Sequence, residues 1–100
     1  MTDLSEASIT RKIMGLLHRQ PDVFAWKVVG NSYGMRGIPD VCGTVGAAAL
    51  FWEIKTAKGQ VSPSQQIVHE AIRRAGGTVS VVRSLEDAED ALRALRGNPS

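Results

Sequence analysis

The residues best suited to chemistry in this sequence are Asp40, Glu53 and Lys55. Asp40 follows Pro39 at the end of the glycine-rich run Gly30–Asp40 (GNSYGMRGIPD), and Glu53 and Lys55 stand two apart in Phe51–Lys55 (FWEIK). Side chains alternate along a strand, so Phe51, Glu53 and Lys55 share one face while Leu50, Trp52 and Ile54 take the other. If the strand entered at Asp40 pairs with the strand that holds Glu53, the two carboxylates come within reach of one cation. A hard divalent ion such as Mg²⁺ takes one or two carboxylates together with waters and substrate phosphate oxygens. Lys55 beside it would orient or deprotonate an attacking water and favour an anionic transition state. Each residue also has an ordinary reading, as a charge pair on a solvated strand face or as an Asx-type turn after proline. Their conjunction favours the chemical one.

Two further polar residues sit where apolar ones are expected. At 100° per residue, Glu6 points into the stripe of Ile9, Ile13 and Leu17, either to serve a site or to form a capping box with Asp3 as N-cap. Gln65 completes a capping box with Ser62, yet it lies at the edge of the face formed by Val68 and Ile72. Gln66 points to the wet side, so Gln65 is the better placed to support a metal site. Asn31, Ser32, Tyr33, Met35 and Arg36 precede Asp40 and fit contacts to a backbone phosphate or an unstacked base. Arg11, Lys12, Lys58, Arg73 and Arg74 read as solvated surface, with phosphate contact as the alternative. Trp26 and Trp52 read as core. Cys42, His18 and His69 lack the neighbours of a nucleophile or a metal ligand and receive no role.

The elements that must position these residues are legible from periodicity and punctuation. Residues Asp3–Arg19 carry one helical stripe, which Pro21 stops. Val23–Val29 reads as a strand and Gly30–Asp40 as an irregular loop. Val41–Val45 and Ala48–Lys55 form a hairpin about Gly46. Ser62, Pro63 and Gln65 open a second helix running to about Ala75, and Gly76 and Gly77 end it. Thr78–Val82 is a fourth strand, and Ser84 with Asp87 caps a third helix whose stripe is Leu85, Ala88, Leu92 and Leu95. The order α-β-β-β-α-β-α implies an α/β (α+β) fold with a mixed sheet flanked by helices, its fourth strand added in parallel through the second helix.

Composition limits what such a fold can be used for. At 100 residues there is room for one core, and 43% hydrophobic with 22% charged residues suits a folded globular domain rather than a disordered chain. The longest apolar run, Ala47–Trp52, is far too short to span a bilayer, and no signal-like segment is expected. A single cysteine forms no intrachain disulfide, so an intracellular setting is expected. Net charge is +2, with the acidic excess confined to Ser84–Ser100, a balance that permits phosphate binding without requiring it.

The runs Arg36-Gly37-Ile38-Pro39-Asp40, Phe51-Trp52-Glu53-Ile54-Lys55, Val61-Ser62-Pro63-Ser64-Gln65, Ala75-Gly76-Gly77 and Val81-Val82-Arg83-Ser84 together resemble the VRR-NUC domain, within the PD-(D/E)XK nuclease superfamily. The similarity extends over nearly the whole chain. It implies a restriction-endonuclease-like fold in one nuclease domain, 1–100, and hydrolysis of DNA phosphodiesters with Mg²⁺ or Mn²⁺. Asp40, Glu53 and the backbone carbonyl of Ile54 would hold the metal, with Lys55 at the nucleophile and Gln65 and Glu6 supporting the site. Tyr33, Arg36 and Lys58 would meet DNA. By analogy with relatives of this size, a cytoplasmic homodimer cutting branched DNA such as four-way junctions is expected, in a bacterial or phage-infected cell. The alternatives are a non-cleaving DNA-binding module that keeps the same fold, and a small interaction protein whose acids are all caps and turns.

Overall fold

Ile9, Ile13 and Leu17 place three buried side chains on one side of α1 (Glu6–His18), and Leu50, Trp52 and Ile54 do the same on one side of β3 (Ala48–Ile54). The computed structural model describes residues 5–29 and 34–97. The remaining elements are β1 (Val23–Lys27), β2 (Val41–Val45), α2 (Pro63–Arg74), β4 (Ser80–Val82) and α3 (Leu85–Leu95). No helix among the described residues is long and apolar enough to cross a membrane.

The sheet order is β1-β2-β3-β4, with the first three strands antiparallel and β4 parallel to β3. Gly46 makes the hairpin possible. It sits at φ 57°, a left-handed conformation that residues with a Cβ resist, in the two-residue turn between Val45 and Ala48. The return through α2 lays β4 beside β3 in the same direction, as a crossover connection must.

The core lies on one face of this sheet. Ile9, Ile13 and Leu17 of α1 and Ala88 and Leu92 of α3 pack on Val41, Val45, Leu50, Trp52, Ile54 and Val82. Each fully buried Val, Leu or Ile side chain contributes about 1.5–3 kcal/mol. Helix α2 lies over the opposite face, where Val68 and Ile72 share an apolar groove of about 430 Å³ with Cys42 and Phe51. Its start is fixed by the Ser62–Gln65 capping box with Pro63 at the first position, as the sequence predicts.

Several expectations need correction. The N-cap of α1 is Ser5, whose hydroxyl accepts the Ser8 N–H at 3.1 Å; Asp3, the expected N-cap, lies outside the described residues. Glu6 is exposed: it has the azimuth of the apolar stripe but stands on the first turn, short of the buried stretch that begins at Ile9. Trp26 is 49% exposed rather than core, because β1 is an edge strand. With Phe24, whose ring centroid is 5.7 Å from its own, it points to the face opposite the core. Leu85, at the first position of α3, is also exposed. Strands β1 and β4 are shorter than their sequence limits suggest, ending at Lys27 and beginning at Ser80.

Candidate active site

Register places the two acids together. Val41 pairs with Trp52, so one step outward Asp40 falls opposite Glu53, both on the face covered by α2. The chain around Asp40 is pinned from two directions: its carbonyl accepts the Val28 N–H at 2.8 Å, and its Oδ2 accepts the Ile54 N–H at 2.7 Å. The Asp40 carboxylate therefore bridges to β3 beyond the end of the β2 ladder. Gly37, three residues earlier, adopts φ 86°, and a Cβ there would lie 2.3 Å from the Ser64 carbonyl oxygen. The loop into Asp40 thus touches the first turn of α2 backbone to backbone.

Glu53 is only 1% exposed, and both its oxygens are engaged by α2. Gln65 Nε2 donates to Oε2 at 3.1 Å, and His69 Nε2 lies 3.0 Å from Oε1. Gln65 makes two contacts at once. Its Oε1 accepts the Ser62 N–H at 2.9 Å to cap the helix, while its amide nitrogen reaches the acid. His69, given no role from the sequence, is the residue that reasoning missed. The available signal was its position four residues after Gln65, which puts both side chains on one helical face.

Burial pushes the Glu53 carboxyl up to about 8, reinforced by its contact with Asp40, while Lys55 pulls the other way. Exposed Glu6 adds a smaller push in the same direction. Burial moves His69 down, with Arg73 and Lys55 adding to the shift. His69 is accordingly neutral at pH 7, and its contact with Glu53 is a hydrogen bond rather than an ion pair. Burial, then Asp40 and Glu53, also raise the Cys42 thiol.

Asp40 opens onto a hollow of about 270 Å³ lined also by Val28, Arg36 and Pro39. Arg36 is exposed there, and Lys58 is exposed on the turn after β3. Tyr33 lies outside the described residues. Among the described residues no group of three or more His, Cys, Asp and Glu side chains converges as a metal cage. What the face offers is two carboxylates, one of them buried, beside one lysine.

Residues 4–86 match the family model of the VRR-NUC domain. The chain belongs to the VRR-NUC family. A solved structure titled "VRR_NUC domain protein" superposes on it with a TM-score of 0.79 at 17% identity, covering 96% of this chain and 91% of the other. That likeness extends to the whole fold, the mixed four-stranded sheet flanked by helices. No curated protein matches. This VRR-NUC chain therefore has a nuclease-type fold, with its acids on the sheet face under α2.

Proposed function

We propose that this VRR-NUC chain is a divalent-metal-dependent endodeoxyribonuclease that hydrolyses phosphodiester bonds in branched DNA such as four-way junctions, working as a single nuclease domain in a cytoplasmic homodimer. The observation that carries the chemistry is the register that sets Asp40 opposite Glu53 on one face, with Lys55 two residues beyond. The residues fit a hard cation. Glu53 is buried beside a second acid, and its raised pKa expresses a want of positive charge that Mg²⁺ or Mn²⁺ would supply. When bound, such an ion polarises a phosphoryl oxygen and lowers the pKa of a water.

The protein's own part follows from the contacts. Asp40 and Glu53 supply carboxylate oxygens. In an extended strand the N–H and C=O of one residue point to the same side, and the Ile54 N–H is directed at Asp40, so its carbonyl turns toward the same place as a third donor. Gln65 and His69 hold the Glu53 carboxylate in one orientation. The Lys55 ammonium orients the attacking water and offsets charge gathering on the phosphate. Glu6 acts at the rim of this site. Arg36, Lys58 and Tyr33 contact the DNA, with Arg36 beside the hollow over Asp40. The exposed apolar face of Phe24 and Trp26 is available to a second copy of the chain.

Purified protein tests this with duplex, nicked, flap and four-way DNA, each with Mg²⁺, Mn²⁺ or EDTA, alongside a light-scattering mass. Cleavage that needs the metal, favours the four-way substrate and is lost in Asp40→Ala supports the reading. Equal cutting by Asp40→Ala would overturn it.

A further inference from the structure

Arg83 follows β4 directly, and its side chain does not turn toward a carboxylate. Among the described residues no acid pairs with the guanidinium. Its Nη1 instead donates to the Thr56 carbonyl at 2.6 Å and the Gly59 carbonyl at 2.7 Å, with the Ala57 carbonyl at 3.5 Å. The acceptors belong to one turn, which the Gly59 N–H also closes onto the Thr56 carbonyl at 3.1 Å. A charged donor spent on neutral backbone holds that turn in one place, and a planar guanidinium does so with a fixed geometry that an ammonium lacks.

That turn begins at the residue after Lys55. The Lys55 N–H donates to the Val82 carbonyl at 3.1 Å, so the neighbour of Arg83 holds the Lys55 backbone while Arg83 itself holds the turn that follows it. The turn also folds back over the lysine: a Cβ added at Gly59 would sit 3.5 Å from Lys55 Cβ and 3.1 Å from Thr56 Oγ1. The turn thus lies close to the base of the Lys55 side chain.

We propose that Arg83 is a positioning residue that latches the 56–59 turn to the end of β4 and thereby sets the place of the Lys55 ammonium beside Glu53. The proposal rests on the nuclease reading above. It concerns how Lys55 is held, and Arg83 itself touches neither substrate nor metal.

Two measurements on the wild type, Arg83→Ala, Arg83→Lys and Gly59→Ala test it. In metal-free protein, hydrogen exchange at the Gly59 amide should quicken in both Arg83 variants while the Ile54 and Val82 amides stay protected. In Mg²⁺-supported cleavage, kcat should fall about 10- to 100-fold in Arg83→Ala, since small misplacements of a catalytic group have effects of that size. KM and the salt dependence of DNA binding should not change, and Arg83→Lys should recover only part of kcat. Gly59→Ala disturbs the same turn without removing charge, so it should lower kcat at constant KM even if Arg83→Ala does not fold. A raised KM with a shallower salt slope, restored by lysine, would make Arg83 a phosphate contact and overturn the proposal. So would unchanged exchange and kcat, or a Gly59→Ala variant with full kcat. A wild-type chain that cuts no DNA would overturn the nuclease reading and the positioning role with it, and the exchange result would separate that failure from a failure of the latch.

Discussion

On the face of β3 that meets α1 and α3, Leu50, Trp52 and Ile54 are removed from solvent among apolar side chains, whereas on the other face Glu53 is just as buried among Asp40, Gln65 and His69. Equal burial therefore has opposite meanings within one strand. The first face gains free energy from apolar area removed from water. The second gives some up, because a carboxyl buried beside another acid is held by hydrogen bonds and retains its proton to a higher pH. Apolar burial is concentrated on one side of the sheet and the paired acids on the other.

The largest effect that would sharpen this contrast is on the polar face. Lys55→Ala should lower cleavage by about 10²–10³-fold or more, the scale for losing one preorganised electrostatic group, with the melting temperature nearly unchanged. Activity assays beside thermal melts would break the contrast if the two fell together. On the apolar face Leu50→Ala should show the reverse, a loss of about 2–5 kcal/mol in denaturant unfolding with cleavage per folded molecule retained. Next comes His69→Ala, which strands the Glu53 Oε1 it contacts. We expect about 1–3 kcal/mol of lost stability in urea, the usual cost of an unsatisfied buried polar group, and a smaller loss of kcat than in Lys55→Ala.

A pH dependence sharpens the contrast further. Glu53 has a folded pKa of about 8 against an ordinary value of 4.5, so between these the folded chain holds a proton that the unfolded chain has lost. Its contribution is complete below the unfolded value and disappears as pH rises through the folded one. Metal-free protein should thus lose stability from about pH 4.5 to pH 8, and Glu53→Gln should flatten that slope in melts across the range. Added Mg²⁺, by favouring the ionised acid, should flatten it as well.

Local signals made much of this legible in the sequence. The Ser62-Pro63-Gln65 start, the Gly46 turn and the alternation of Phe51–Lys55 are short-range features, and hairpin register alone sets Asp40 across from Glu53. His69 escaped because its partner lies 16 residues away and only the passage of α2 over β3 joins them. Trp26 escaped because strand propensity does not say which strand ends the sheet. The azimuth of Glu6 was legible, but a helical wheel says nothing about where along the axis the covering layer stops.

Gly37 brings the chain that delivers Asp40 against the turn that delivers Gln65, with nothing but main chain between them. Any larger residue there would act as a shim, prying apart the two halves of the constellation without altering a single functional group. The spacing between acid and helix is gauged by an atom that is missing, and a methyl group would be enough to spoil the gauge.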